Sequence, residues 1–246
     1  MRMTIFSSAA ALAVLVAGAQ SATAVLVVQE NFTYADGDVD NYNGGMGWAA
    51  AWENGNSNAT RRFRVVNSEV IYNGGGNGTE TEQNRGFASA ITVGLLDTVT
   101  LTFNLIRPES QVGRGIGIYL TNAGANEFFL GKEINDVVGL KSGMVMGSND
   151  YAEFASSGTT ETITTIIIYD GTDTSFVLSD SNETLPAYKQ SGQFTFDGIS
   201  LAGYHASTTT NGIDSISIDV TSVPEPSVFL FGSIVAAGFI IVRLRR

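Results

Sequence analysis

The chain of 246 residues contains no cysteine, one histidine and four prolines, and its 24 acidic residues far outnumber its 13 basic ones. Without cysteine it can form neither a disulfide nor a thiolate metal site, so a hydrophobic core, alone or with bound ions, must hold the fold. The net charge of −11 repels phosphate backbones, so we expect no nucleic-acid partner. Four of the arginines lie in the two apolar ends of the chain, which leaves the region between them still more acidic.

The sequence shows no catalytic residue. The lone histidine, His205, has no serine in a Gly-x-Ser-x-Gly turn to activate. Glu80 and Glu82 would share one face of a strand, but their Gly- and Asn-rich surroundings predict solvated loop carboxylates instead. We therefore expect a protein that is not an enzyme, with ligand-binding residues that the sequence does not identify.

The region between the two ends has the period-2 pattern of β-strands throughout. Leu95–Ile106 alternates apolar and polar residues, as do Ile213–Val220 and, with a β-branched run, Glu161–Tyr169. Glycine, asparagine and aspartate clusters separate the segments and suit tight β connections. About a dozen strands without a helical pattern predict two packed antiparallel sheets. The shorter predicted strands are Val25–Glu30, Arg61–Val66, Glu69–Tyr72, Phe87–Val93, Ile116–Thr121, Phe128–Glu133, Ser175–Leu178, Gln193–Phe196 and Ile199–Gly203.

One acidic segment has the spacing of a cation site. Asp36, Asp38 and Asp40 alternate along the chain, and hard oxygen ligands at that spacing can wrap a calcium ion. The segment departs from the EF-hand pattern, so the competing interpretation is a polar turn after the first strand. Nearby, Trp48 and Trp52 are expected to pack in the core, and stacking on a sugar ring is the alternative. Because the two tryptophans are four residues apart, we expect them to share a face only if this stretch is helical.

The N-terminus has the three parts of a secretory signal peptide. Arg2 supplies a positive start, Ile5–Gly18 is apolar, and Ala22-Thr23-Ala24 is a small-x-small cleavage site. Cleavage after Ala24 would make residues 1–24 the signal peptide and Val25 the first residue of the mature protein.

The C-terminus also has three parts. Val223-Pro224-Glu225-Pro226 is stiff and extended because proline fixes φ and lacks a donor. Val228–Val242 is uncharged and, as a helix, would span roughly 22 Å, somewhat short of a bilayer core of ~30 Å. Arg243, Arg245 and Arg246 follow and should stay cytoplasmic. The pattern predicts a short transmembrane helix, with the preceding domain outside the inner membrane.

This arrangement resembles the PEP-CTERM sorting signal of Gram-negative bacteria, although it covers only about a tenth of the chain. The resemblance implies that a membrane exosortase recognises the tail at 223–226 and processes the protein near that motif. It further implies export to the cell surface or extracellular matrix and association with exopolysaccharide, as in a biofilm matrix. A permanent C-terminal membrane anchor without a sorting step is the competing interpretation.

The predicted domain, residues 25–222, carries a second resemblance. Glu30–Gly37, then Asn43–Trp48 and Trp52, look like the opening of many exported bacterial proteins with a concanavalin A-like or laminin-G-like jelly roll. The strand Gly212–Ile218 is similar to the last strand of such domains. The resemblance implies an antiparallel jelly-roll β-sandwich. The Glu-x-Asp-x-x-Glu pattern of glycoside hydrolases with this fold is absent, so a non-catalytic matrix protein is expected and a glycan-active enzyme is the alternative.

Overall fold

The computed structural model describes residues 22–55, 62–73, 80–95, 97–106, 115–132, 138–142, 150–153, 160–204 and 212–222. Every regular element in these ranges is a β-strand, as the sequence predicts. The strands are β1 (Thr23–Glu30), β2 (Gly37–Asp38), β3 (Glu53–Asn54), β4 (Arg62–Val66), β5 (Glu69–Asn73), β6 (Glu80–Thr92), β7 (Thr98–Ile106), β8 (Gly115–Asn122), β9 (Ala125–Lys132), β10 (Val138–Ser142), β11 (Asp150–Glu153), β12 (Thr160–Tyr169), β13 (Asp173–Ser179), β14 (Tyr188–Ser191), β15 (Thr195–Tyr204) and β16 (Gly212–Ser222).

These strands form two sheets within the described ranges. The nine-stranded sheet has the order β14-β13-β12-β7-β16-β5-β4-β2, with β1 paired to β16. The seven-stranded sheet has the order β11-β10-β9-β8-β15-β6-β3. The long ladders of β12 with β7 and of β15 with β6 and β8 are antiparallel. The described part of the protein is therefore an all-β antiparallel sandwich.

One continuous apolar core lies between the two sheets. Strand β7 alternates strictly, and its four core residues Val99, Leu101, Phe103 and Leu105 are almost fully buried. The seven-stranded sheet contributes to the same cluster through the inward side chains of β8 and β15. Within Val25–Val220, which forms one compact unit, this burial is the main stabilising term, since each fully buried large apolar side chain contributes about 1.5–3 kcal/mol.

Strand β6 corrects one sequence prediction. It begins at Glu80, seven residues before the predicted start, so Glu80 and Glu82 lie in a strand and not in a loop. The sequence pattern does not predict a strand over the first half of β6, because the side chains that point inward there are polar. Thr81, Gln83 and Arg85 are all almost fully buried, and polar inward positions erase the hydrophobic period.

Strand β15 corrects a second prediction. Gln193–Phe196 and Ile199–Gly203 were expected as two strands, but one strand spans Thr195–Tyr204. A register shift between Phe196 and Gly198 breaks the apolar alternation, which makes the strand look interrupted. Two other differences are smaller: β7 starts at Thr98 rather than Leu95, and five short strands (β2, β3, β10, β11 and β14) were not predicted.

Candidate functional site

The segment that follows β1 folds back and pairs with β1 through backbone hydrogen bonds. The amide and carbonyl of Met46 pair with those of Gln29 at 2.8 and 2.9 Å. Gly45 and Gly47, on either side of Met46, have φ of 72° and 84°, a region that favours glycine. A Cβ at either position would overlap a backbone carbonyl oxygen of β1. The two glycines of the Gly-Met-Gly-Trp motif are therefore required by close backbone packing.

The guanidinium of Arg85 holds this segment against the seven-stranded sheet. Its Nη1 donates to the carboxylate of Glu30, and both side chains are almost fully buried. Its Nη2 donates to Asn43 Oδ1 at 3.0 Å and to the Gly44 carbonyl at 2.8 Å, while Nε donates to the Ala50 carbonyl at 2.8 Å. We call the set of Glu30, Arg85 and the groups they bind the arginine cluster. Its buried charge is paired and hydrogen-bonded, as burial of an ion requires.

Aromatic side chains enclose the arginine cluster. The guanidinium carbon of Arg85 lies 4.6 Å from the ring centroid of Trp48 and 5.5 Å from that of Trp52. Tyr34 donates to Glu30 Oε2 at 2.6 Å. Burial, followed by the neighbouring Glu30 carboxylate, raises the pKa of Tyr34 to about 12, since both disfavour a phenolate.

The two tryptophans confirm one expectation and overturn another. Trp52 is almost fully buried and Trp48 packs against the core, as expected. Their ring centroids lie 5.7 Å apart although the stretch between them is not helical. The prediction that they would share a face only in a helix is therefore wrong, because the irregular backbone of this segment brings them together.

A cleft opens on the opposite, outward face of β6. Buried Ile199 and Leu201 of β15 point into the core, so the alternate positions of β15 and their cross-strand partners point outward. Asn84, paired with Ser200, and Gly86, paired with Gly198, therefore lie on the outer face of the seven-stranded sheet. The cleft has a volume of about 420 Å³ and is lined by Glu53, Asn84, Arg85, Gly86, Phe87, Thr121, Gly124, Asn126 and Asp197.

Amide and carboxylate side chains from four strands line this cleft. Glu53 of β3 is paired with Asn84 of β6, and both are exposed. Asn126 reaches it from β9, and Asp197 from the irregular part of β15. The guanidinium of Arg85 is engaged in the arginine cluster, so the charged side chains that line the cleft and face it are carboxylates. Amides and carboxylates together can donate to and accept from a ligand rich in hydroxyl groups.

Hydrogen bonds fix two of the side chains that line the cleft, Asp197 and Asn126. The backbone amide of Ala123, in the β8–β9 turn, donates to Asp197 Oδ2 at 2.8 Å. Asn126 Nδ2 donates to Glu82 Oε1 at 3.1 Å. Burial raises the pKa of the Glu82 carboxyl group, and the hydrogen bond from Asn126 opposes that rise. The cleft is therefore preorganised on its β9 and β15 sides.

The acidic loop, Asp36 to Asp40, has its carboxylates engaged with different partners. Asp36 Oδ1 accepts from the backbone amide of Asn67 at 3.0 Å. Asp38 pairs with Arg62 at 2.5 Å and with Arg64 at 3.3 Å. Asp40 accepts a hydrogen bond from a glutamine of β6. Among the described residues no group of three acidic or histidine side chains could hold a metal ion, so this arrangement does not assemble the calcium ligands that the spacing suggests.

Several sequence predictions fall outside the described ranges. They concern the sorting motif at 223–226, the apolar segment 228–242, the basic residues 243, 245 and 246, and His205. Of the predicted signal-cleavage residues, Ala22 and Ala24 are described and exposed, and Ala24 lies in β1. In the part of the chain that is described, no helix is long and apolar enough to span a membrane. The sorting, anchoring and cleavage assignments stay predictions.

The cleft residues themselves were not predicted. Asn84, Asn126 and Asp197 are far apart in sequence, and none belongs to a recognisable motif. Only the pairing of β15 with β6 and β8, and of β8 with β9, brings them together. The adjacent Glu80–Glu82 segment lies in β6 and not in the loop that its Gly- and Asn-rich surroundings predict, and Glu82 is on the same face of β6 as Asn84.

No family model and no curated protein matches the chain. Among solved structures, it is similar to the endo-1,3-beta-glucanase from Streptomyces sioyaensis, with 10% identity, a TM-score of 0.49 and coverage of 81% of this chain and 97% of that one. It is also similar to a Lotus tetragonolobus seed lectin (11% identity, TM-score 0.43, coverage 78% and 100%) and to the Emp47p carbohydrate recognition domain (9%, 0.43, 76% and 94%). These likenesses are too distant to assign a ligand or an activity.

Proposed function

We propose that this protein is an exported, non-catalytic surface or extracellular-matrix protein whose β-sandwich, a jelly roll of the concanavalin A-like kind, binds polysaccharide in the cleft on the outer face of the seven-stranded sheet. The observation that carries the binding proposal is the convergence of amide and carboxylate side chains on one 420 Å³ cleft. Sugar hydroxyl groups both donate and accept hydrogen bonds, and this lining offers partners for both. Specific polar groups placed in a concave site are the usual means of orienting a small ligand.

The charge of the protein restricts the glycan. Carboxylates line the cleft and the chain carries a net charge of −11, so polysaccharides rich in uronate or sulfate would be repelled. We therefore propose a neutral or amine-bearing exopolysaccharide as the partner. No nucleic acid is proposed.

Cosedimentation with the exopolysaccharide of the host tests the binding proposal. Asn84→Ala and Asn126→Ala each remove an amide from the cleft and should raise the Kd measured by a cosedimentation titration by about 2- to 12-fold, since a neutral hydrogen bond contributes about 0.5–1.5 kcal/mol net. Thr162→Ala, on the exposed face of the nine-stranded sheet, is the matched control and should bind normally. Equal binding by all three variants would refute the assignment of the cleft.

A glycan-active enzyme is the second candidate, favoured by one observation. Burial raises the pKa of Glu82, which is how a carboxyl group becomes a proton donor, and it lies next to a cleft lined by Glu53 and Asp197. Reducing ends released in the same tubes, and abolished in Glu82→Gln, would establish this candidate. Retention of polysaccharide without release would support the non-catalytic proposal.

The export proposal rests on the two chain ends. Removal of residues 1–24 and exosortase processing near Val223–Pro226 would leave a matrix or surface protein without its membrane segment. Replacing Pro224, Glu225 and Pro226 with alanine should trap a full-length precursor in the membrane, and normal secretion of that variant would refute sorting. Retention of Arg246 in the secreted product would instead favour a permanent anchor.

A further inference from the structure

The turn between β13 and β14 contains a sequence motif for glycan attachment that plays no part in the proposed polysaccharide binding. Asn182-Glu183-Thr184 fits the Asn-x-Ser/Thr sequon, which in exported proteins marks surface asparagines that can receive a glycan. The chain has four such sequons, beginning at Asn31, Asn58, Asn77 and Asn182. Those at 31 and 182 lie within the described ranges, and their surroundings differ.

The turn displays Asn182 at its tip. Asp180 Oδ1 accepts hydrogen bonds from the backbone amides of Asn182 and Glu183, both at 2.7 Å, and the Asp180 amide donates to the Glu183 carbonyl at 3.0 Å. This side-chain cap closes a short turn and directs its central residues outward. Asn182 and Thr184 are both exposed, and the side-chain amide of Asn182 makes no hydrogen bond within the described part of the chain.

The base of the turn is anchored in the core, whereas its tip is held by the local hydrogen bonds of Asp180. Ser179 and Thr184 form an antiparallel bridge, and the amide of Leu185 donates to the Leu178 carbonyl at 2.8 Å. Leu185 is almost fully buried and anchors the chain in the core. A transferase could therefore engage residues 181–184 by opening only the local bonds of the turn, without removing an apolar side chain from the core.

The sequon at Asn31 is held differently. Its middle residue, Phe32, is fully buried, and its ring centroid lies 6.0 Å from that of Trp52. The Phe32 amide also donates to Glu30 Oε1 at 2.9 Å, within the arginine cluster. Entry of this sequon into an enzyme groove would require Phe32 to leave the core, so Asn31 is a matched negative control.

We propose that Asn182 is an N-glycosylation site, modified by an oligosaccharyltransferase that uses a lipid-diphosphate-linked oligosaccharide; this inference rests on the export part of the proposed function. In the reaction, Asn182 Nδ2 forms a bond to the anomeric carbon of the first sugar. The bond between that carbon and the diphosphate oxygen breaks, and the lipid diphosphate leaves with the electron pair. The amide loses one proton to a base of the transferase or to water, and no oxidant or reductant takes part.

Mass spectrometry of the full chain produced in its own host tests the proposal. After trypsin digestion, the peptide that ends at Lys189 should carry a glycan mass on Asn182. That mass should disappear in Asn182→Gln and in Thr184→Val, which removes the sequon hydroxyl. It should persist in Thr184→Ser, which restores the hydroxyl, and in Asn31→Gln.

The same spectra separate the two ways in which the inference could fail. A product that begins at Val25 has been exported, so an unmodified Asn182 in that product would overturn the glycosylation proposal alone. A product that keeps residues 1–24 and no glycan would overturn both the export proposal and the inference built on it. Because the substituted side chains at 182 and 184 are exposed, an unchanged melting temperature for each variant should confirm that loss of the glycan mass is not a folding defect.

Discussion

Replacement of Arg85 by methionine is expected to be among the most destabilising single changes in the described part of the chain. The substitution keeps most of the side-chain length but removes the guanidinium, which donates to Glu30, Asn43, Gly44 and Ala50. The Glu30 carboxylate stays almost fully buried and loses its cationic partner. Removing one partner of a buried ion pair typically costs about 3–5 kcal/mol.

Contact with Trp48, at 4.6 Å, adds a cation–π term of about 1–2 kcal/mol when desolvated. Part of this term overlaps with the loss of the ion pair, so we expect the free energy of unfolding to fall by about 4 kcal/mol in total. The double variant Glu30→Gln, Arg85→Met removes both charges. It should be less destabilised than the sum of the single variants by about 2–3 kcal/mol, because the unpaired buried charge is absent.

Urea denaturation of the purified protein, followed by tryptophan fluorescence, measures these differences. Both tryptophans pack on Arg85, so the signal reports on the arginine cluster directly. Arg64→Met is the matched control: its pair with Asp38 is half-exposed, and such pairs contribute about 1 kcal/mol or less. A loss below about 1 kcal/mol for Arg85→Met, or simple additivity in the double variant, would refute this account of the cluster.

Four further predictions concern the same region and the cleft. Gly47→Ala should lower the free energy of unfolding by about 2 kcal/mol or more, because the new Cβ meets a carbonyl oxygen of β1. Gly124→Ala is the control: it has a similar φ but open space around the new Cβ, so the loss should be only about 1 kcal/mol. Denaturation curves would measure both losses. The folded state favours the protonated form of Tyr34 and raises its pKa to about 12, so the contribution of Tyr34 to the free energy of unfolding is complete below pH 10 and is lost as the pH rises to about 12. Alkaline unfolding curves of Tyr34→Phe should lack this loss. The Glu82 carboxyl should titrate above its ordinary value by carboxyl NMR and still higher in Asn126→Ala, whereas an unchanged value would show that the hydrogen bond is unimportant. Calcium and EDTA should give equal melting temperatures, because the carboxylates of the acidic loop are already engaged; a rise with calcium would mean that the loop rearranges.

The strand content of this protein could be predicted from sequence wherever one face of a strand is apolar. Strand β7 is the clearest example, since its alternating residues place four apolar side chains in the core. Strand β6 could not be predicted over its first half, because Gln83 and Arg85 occupy inward positions. Their burial is compensated by partners more than forty residues away in sequence, and no local pattern contains that information.

The candidate cleft depends even more on long-range pairing. Asn84 lies opposite Ser200 in the β6–β15 ladder, and Asn126 lies opposite Thr121 in the β8–β9 ladder. A shift of one residue in either ladder would move these amides to the core face. The Gly-Met-Gly-Trp motif was recognised from sequence as a resemblance, whereas its physical role in backbone packing required the structure.

Among the described residues, β16 is the last strand in sequence, but it lies in the interior of the nine-stranded sheet between β7 and β5. During synthesis, that sheet therefore stays open until β16 emerges. Until then β7 and β5 present unpaired edges, which are prone to pair with other chains. A ribosome that stops before residue 212 would leave the two halves of that sheet unjoined, so formation of the sheet depends on synthesis of β16.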